Sequence, residues 1–200
     1  MKITKIEAQV KTRGRYSIFV DDKFAFGLSE SALINSGIKV GTEITAKDLT
    51  DFKQDSELDK IYGRLLDLLA RRPRSEWELH DYLKRKKVDN EDADKLLNKL
   101  SNHGHINDED FAKRWVESRR LLKSTNKRKL SMELRQKRIR GEIISKILSD
   151  DETDEVEVLK ELIAKKRTQT RYQDDLKLMQ YLSTQGFNYS DIKQALTPED

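Results

Sequence analysis

The sequence contains no cysteine, and only two of its 200 residues are proline. Without cysteine the chain has neither a disulfide framework nor thiolate chemistry. No stretch approaches the roughly 18 consecutive apolar residues that a transmembrane helix needs, and the first residues lack the apolar core of a signal peptide. We therefore expect a cytoplasmic protein that does not enter a membrane.

The motifs of the common enzyme classes are also missing. There is no phosphate-binding loop, no nucleophile elbow and no dinucleotide-binding glycine turn. Asp108, Glu109 and Asp110 lie at a predicted helix start, where the helix dipole stabilises acidic side chains, so capping explains them better than catalysis does. His103 and His105 lack the third ligand of a metal site. These absences predict a binding protein that is not an enzyme and that uses neither a cofactor nor a metal.

Residues 1–57 are predicted to form a small β-containing segment with short helices. Three short runs favour antiparallel strands, because they alternate or are rich in β-branched and aromatic residues: 2–10, 16–20 and 24–28. Asp21 and Asp22 stand between the second and third runs and suit a tight hairpin turn. A short helix is also predicted around Leu49 and Phe52, which lie on one face of it.

Three later segments align with one another without gaps. They begin at Leu79, Leu130 and Leu178, and so are offset by 51 and 48 residues. Five apolar positions are shared: Leu79, Leu130 and Leu178; Leu83, Leu134 and Leu182; Val88, Ile139 and Phe187; Ala93, Ile144 and Ile192; Leu97, Leu148 and Leu196. Each segment has the pattern of a helix, a tight turn and a second helix.

A further amphipathic helix precedes each of these segments. The three preceding helices are predicted over 58–71, 108–122 and about 154–171. We therefore predict three-helix repeats over 58–106, 107–150 and 151–200. Because one such unit has a marginal core, stacked neighbours would supply the missing burial. The predicted fold is mainly α: an elongated repeat array, straight or curved, after a three-stranded N-terminal segment.

Positive charge is concentrated in the second repeat. Residues 107–150 carry thirteen basic and seven acidic side chains, whereas acidic side chains outnumber basic ones in 151–200. Such a density can face a polyanion, although a solvated helix face is the alternative. The candidate partner-binding residues are Arg114, Arg119, Arg120, Lys123, Lys127, Arg128, Lys129, Arg135, Lys137 and Arg138.

The segment 123–129 within this basic region has no apolar anchor, so it is predicted to be an exposed loop. If the basic side chains form one surface stripe, their charges can be reversed without harm to the fold. Glutamate at Arg119, Arg120, Lys127 and Arg128 together should then abolish partner binding and leave helical content intact.

Four passages resemble the RecX family, the regulatory proteins of the RecA recombinase. They are LARRPRSEWEL at 69–79, GHINDEDFAKRW at 104–115, LSMELRQK at 130–137 and LSTQGFNYSDI at 182–192. The resemblance covers about residues 58–196. The family usually has glycine before the apolar residue of the repeat turn, but only Gly186 keeps it, while Lys87 and Arg138 occupy the other two places. If those turns need a left-handed residue, each substitution costs about 1 kcal/mol.

The resemblance implies a non-catalytic regulator that binds the RecA filament on single-stranded DNA. Such proteins modulate, and usually inhibit, the ATPase, strand-exchange and coprotease activities of RecA in DNA repair, recombination and SOS control. We expect a monomer. The alternative is a helical protein that binds DNA directly. However, the last helices of the repeats begin with mainly acidic or neutral residues at 89–92, 140–142 and 188–191, which argues against a groove-reading helix.

Overall fold

The computed structural model describes residues 1–196, which form ten α-helices and one three-stranded sheet. The predicted fold class, mainly α with a small three-stranded N-terminal sheet, is confirmed. The chain divides into two compact units, the first made of Met1–Pro73 and Lys87–His105, the second of Arg74–Lys86 and the chain from Ile106 onward. Residues 197–200, the end of the predicted third repeat, lie outside the described residues.

The N-terminal sheet has the order β1-β2-β3 and is antiparallel throughout. Its strands are β1 (Ile3–Ala8), β2 (Arg15–Val20) and β3 (Lys23–Ser29). Asp21 and Asp22 both have positive φ angles, 47° and 63°, as a two-residue turn of type I′ requires. The predicted hairpin is therefore confirmed, and Ile18 and Phe26 from its two strands lie in one buried cluster.

Two helices complete the N-terminal part of the first unit. Helix α1 (Glu30–Ser36) is short, and helix α2 (Ala46–Arg71) runs for 26 residues from a capping box formed by Thr45 and Asp48. The prediction of a short helix followed by a separate helix over 58–71 was wrong. No proline or glycine lies between 46 and 58 to break the backbone ladder, so the two stretches form one helix that packs against β3.

Eight further helices and one 3₁₀ turn follow. They are α3 (Glu76–Arg85), α4 (Asn90–Asn102), α5 (Asp108–Lys123), α6 (Lys127–Gln136), α7 (Gly141–Ser149), α8 (Glu155–Arg167), the 3₁₀ turn Thr170–Tyr172, α9 (Asp175–Thr184) and α10 (Tyr189–Leu196). Helix α3 begins with a capping box formed by Ser75 and Glu78, and the Asn107 side chain caps α5. Helix α8 ends four residues before the predicted limit of 171.

Twelve of the fifteen aligned apolar residues are buried, and Val88, Leu148 and Leu196 are half-buried. Helices α5 to α7 enclose one cluster, which includes Leu130, Leu134, Ile139 and Ile144. Helices α8 to α10 enclose another, which includes the equivalent residues Leu178, Leu182, Phe187 and Ile192. Burial of each such side chain contributes about 1.5–3 kcal/mol, so each repeat depends on the same few leucine and isoleucine contacts.

The tight turns of the three repeats each contain a residue with a positive φ angle at the aligned position. Lys87 and Arg138 both have φ of 59°, and Gly186 has φ of 99°. These are the three positions that the alignment placed together. The left-handed region is easy for glycine and strained for any residue with a Cβ atom. The turn therefore requires a left-handed residue at all three positions, although only Gly186 is a glycine, which adopts that conformation without strain.

We expect glycine at Lys87 or at Arg138 to stabilise the protein. Each substitution should raise the free energy of unfolding by about 0.5–1 kcal/mol, because relief of the strained φ angle exceeds the extra entropy of glycine in the unfolded chain. Gly186→Ala should have the opposite effect, since its Cβ would also lie 3.2 Å from the Asn126 amide. Urea denaturation of the three variants checks this, and a destabilising Arg138→Gly would contradict it.

Candidate partner-binding surface

The ten basic residues predicted to bind a partner divide into two groups of five. One group is exposed and consists of Arg114, Lys123, Arg128, Arg135 and Arg138. The other group is partly buried and consists of Arg119, Arg120, Lys127, Lys129 and Lys137. The second group makes contacts inside the second unit, and these contacts decide which positive charges are available to a partner.

Arg120 is the most heavily engaged of the ten, with only 10% of its side chain exposed. Its guanidinium donates to Asp151 Oδ2 at 2.6 and 3.0 Å, to Glu155 Oε1 at 2.5 Å and to the Thr125 carbonyl at 2.6 Å. Lys127 reaches the same segment, because its Nζ donates to the Asp151 carbonyl at 2.6 Å. The two cations tie the second repeat to the start of the third.

The ionisation of Asp151 reflects this contact. Burial raises the pKa of Asp151, but hydrogen bonds from Thr153 and Arg120 outweigh it, so the pKa lies below its ordinary value. Glutamate at position 120 would confront the carboxylates of Asp151 and Glu155. The fourfold charge reversal that includes Arg120 is therefore expected to unfold this region, which corrects the expectation that the helices would stay intact.

Trp115 holds two more of the predicted cations. The Arg119 guanidinium lies 4.3 Å from the centroid of the indole ring, and Lys137 Nζ lies 5.1 Å from it. Glu133 accepts hydrogen bonds from Trp115 Nε1 at 2.9 Å and from Arg119 Nε at 2.7 Å. Lys137 also pairs with Glu78 at 2.7 Å. Trp115 packs against the second-repeat core, and the two cations beside it also pair with carboxylates of other helices.

The segment 123–129 is not an exposed loop, so that prediction was wrong. Ser124, Thr125 and Asn126 are all buried, and Asn126 retains only 2% of its surface. The Asn126 side chain caps α6 by accepting from the backbone amide of Lys129 at 2.8 Å, and Ser124 Oγ donates to Glu161 at 3.1 Å. The segment needs no apolar anchor because hydrogen bonds satisfy its polar groups.

The outer side of α6 carries the exposed arginines. Arg128, Met132 and Arg135 are spaced by four and three residues, so they lie on one side of the helix. We call these three residues the α6 face. Met132 is 56% exposed. Within residues 1–196, no ion pair engages either arginine of the face, or Arg138 in the turn that follows. Their guanidinium groups are thus available for carboxylate or phosphate groups.

The remaining exposed members are less concentrated. Arg114 faces Asp110 at 3.6 Å with 67% of its side chain exposed, a contact that contributes little to stability. Lys123 is exposed at the end of α5 and lines a cleft with Lys129, Lys165 and Lys166. The sequence did not point to the last two lysines, which lie in the repeat where acidic side chains outnumber basic ones. Their approach to the second repeat depends on tertiary packing.

The other candidate sites have structural explanations. Asp108 accepts a hydrogen bond from the backbone amide of Glu76 at 2.9 Å, and burial raises its pKa despite that bond and the nearby Arg140 charge. His103 and His105 stack with ring centroids 6.0 Å apart. Across the described chain, no three histidine, aspartate or glutamate side chains lie together as metal ligands would. None of the described helices has the length and apolar character needed to cross a membrane.

The fold and this surface define a class of protein: a helical-repeat protein with exposed arginines on one helix face. Three family models match the chain. They are described as "Regulatory protein RecX N-terminal domain" over residues 1–45, "RecX, first three-helix domain" over 62–100 and "RecX, second three-helix domain" over 107–148. The chain belongs to the RecX family of regulatory proteins.

Individual relatives agree with this assignment. The chain is 30% identical to regulatory protein RecX of Bacillus subtilis over 199 residues, which is 97% of this chain and 75% of the relative. It is 34% identical to the Listeria monocytogenes protein of that name over 152 residues, which is 75% of this chain. The match spans only 56% of that Listeria protein, and 57% of the corresponding protein of Listeria innocua.

Solved structures show the same fold. A crystal structure of regulatory protein RecX has a TM-score of 0.77 and 31% sequence identity, and the match covers 97% of this chain and 98% of that one. The crystal structure of RecX from Lactobacillus salivarius has a TM-score of 0.58 and 24% identity over 70% of this chain and 94% of that one. At that identity the second structure supports the fold alone.

Proposed function

We propose that this protein is a non-catalytic regulator that binds the RecA filament on single-stranded DNA and inhibits its ATPase, strand-exchange and coprotease activities. The observation that supports the proposal is the set of exposed arginines formed by the α6 face and Arg138. It occurs in a chain that belongs to a family of regulatory proteins. These three arginines are exposed and have no ion-pair partner among the described side chains. The partner we propose presents acidic groups to this face.

The chemistry of the α6 face suits a large anionic partner. A guanidinium group can form two parallel hydrogen bonds with one carboxylate or phosphate, and it keeps its charge at every physiological pH. Met132 adds a flexible apolar contact between Arg128 and Arg135. Arginine and methionine are both enriched in protein interfaces, whereas lysine and glutamate are depleted. The face therefore resembles an interface more than a solvated helix side.

Binding alone is sufficient for regulation. A protein that binds one state of a filament more tightly than another shifts the filament toward the first state. The size of the shift is set by the difference between the two affinities. A change in ATPase rate therefore requires no chemistry from the regulator itself. The acidic residues 108–110 and the histidines 103 and 105 all have structural contacts. The acids accept a backbone hydrogen bond or pair with cations, and the two histidine rings stack.

An ATPase titration tests the proposal. Increasing amounts of the full chain are added to RecA, single-stranded DNA and ATP, and the hydrolysis rate is followed. We expect the rate to fall, with half of the effect reached below one regulator per RecA protomer. An unchanged rate at saturating regulator would overturn the proposal. Binding to single-stranded DNA alone is measured in parallel, and equal affinity for DNA with and without RecA would favour direct DNA binding instead.

A further inference from the structure

A cleft of about 310 Å³ in the second unit collects lysines from two repeats. Lys123 and Lys129 come from the second repeat, and Lys165 and Lys166 come from the end of α8 in the third. The walls also include buried polar residues of the connection between α5 and α6. The sequence assigns the third repeat an excess of acidic residues, yet tertiary packing places two of its lysines beside the basic repeat.

Among the residues that the structure describes, no acidic side chain lines this cleft. Elsewhere in the second unit, lysines face carboxylates, as Lys146 faces Glu109 at 2.6 Å. In the cleft, Lys129 Nζ donates to the neutral amide oxygen of Gln185. One acid, Glu161, contacts a lining residue of the described cleft, where it accepts a hydrogen bond from Ser124 Oγ. The four ammonium groups therefore concentrate positive charge that the described lining side chains do not neutralise.

Two of the lysines are held in place and two stand at the rim. Lys166 Nζ lies 4.8 Å from the ring centroid of Tyr181 and 5.5 Å from that of Tyr172, so aromatic rings orient it. Lys129 is oriented by Gln185. Lys123 and Lys165 are exposed. An anion that enters the cleft would meet two positioned charges and two exposed ones.

We propose that this cleft binds a phosphate group, supplied by a nucleotide or by the backbone of single-stranded DNA. Lysine is a compact point charge that suits phosphate oxygens, and a cleft lined by one sign of charge raises the local concentration of the opposite sign. The tyrosine rings are occupied by Lys166 and by each other at 5.0 Å, so recognition rests on phosphate rather than on base stacking. The site is separate from the α6 face and does not depend on the function proposed above.

Calorimetric titration of the full chain with inorganic pyrophosphate tests this site in the absence of RecA. We expect saturable binding of one pyrophosphate per chain. The rim variant Lys123→Gln/Lys165→Gln should bind about tenfold more weakly, because it removes two exposed charge contacts. The matched control is Lys160→Gln/Lys177→Gln, which removes the same charge from exposed lysines of the third repeat that lie outside the cleft. The control should bind within about twofold of the wild type.

Two results would overturn the site. One is the absence of saturable binding to the wild-type chain, and the other is an equal loss in the rim variant and its control. Competition with ATP and with an oligothymidylate then identifies the source of the phosphate, and displacement by either supports the proposal. If neither displaces pyrophosphate, or if polyglutamate displaces it better than both, the cleft is not a phosphate-ester site. Failure of RecA regulation in the ATPase titration would leave these results unaffected.

Discussion

Replacing Arg120 with alanine should lower the free energy of unfolding by about 3 kcal/mol, because it removes one partner of a nearly buried ion pair. The side chains of Arg120 and Asp151 are each 10% exposed. Loss of a partner in such a pair leaves an uncompensated charge away from water, which is far more costly than loss of a surface pair. The effect should be the largest of any single basic substitution in the second repeat.

The geometry around Arg120 explains why one side chain matters this much. Its Nη2 atom donates both to Asp151 Oδ2 and to Glu155 Oε1, so the two carboxylates share one cation. Without the guanidinium they face each other with no cation between them, and the Thr125 carbonyl loses a donor at 2.6 Å. The lowered pKa of Asp151 means that the carboxylate carries its charge at neutral pH. The segment that joins the second and third repeats would lose its main polar contact.

Urea denaturation of Arg120→Ala and Arg114→Ala checks this prediction. Arg114 is the matched control, since it is an arginine of the same helix whose ion pair with Asp110 is exposed and spans 3.6 Å. Its removal should change the free energy of unfolding by no more than about 0.5 kcal/mol. A loss below about 1 kcal/mol for Arg120→Ala would show that the pair contributes no more than a surface contact.

The double variant Arg128→Glu/Arg135→Glu should weaken the proposed binding to the RecA filament at least about 100-fold, because buried interface arginines each contribute about 2 kcal/mol or more. It reverses both charges of the α6 face and turns attraction toward an acidic partner into repulsion. The fold should persist, since both side chains are exposed. The helix dipole favours a carboxylate at position 128, near the start of α6, and disfavours one at position 135, near its end, so the two effects offset.

Filament co-sedimentation and the ATPase titration measure this loss, and circular dichroism confirms that helical content is retained. The matched control is Lys160→Glu/Lys177→Glu, which changes the net charge by the same amount on exposed side chains of α8 and α9. We expect the control to regulate nearly as the wild type does. If both double variants bind equally well, the α6 face is only a solvated helix side and the proposed surface is incorrect.

Much of the architecture follows from local rules that the sequence displays directly. The repeated positions of Leu130 and Leu178 predicted the cores of two three-helix units, because burial needs apolar residues at helical spacing. The hairpin at Asp21 and Asp22, and the helix start at Ser75, follow from backbone preferences of a few adjacent residues. Backbone preference also explains the repeat turn. Its left-handed position is occupied by Gly186 in the third repeat and by Arg138 in the second.

The basic surface could not be predicted in this way, because the availability of a charge depends on distant partners. Arg120 and Arg128 look alike in the sequence, but Arg120 pairs with carboxylates 31 and 35 residues away. Arg128 forms no ion pair with a described carboxylate, although it lines a pocket with Glu155 and Asp191. Burial of Asn126 and the approach of Lys165 to Lys123 depend on how the second and third repeats pack. Local pattern determines helices, turns and core positions, whereas long-range ion pairs determine which cations remain free to bind.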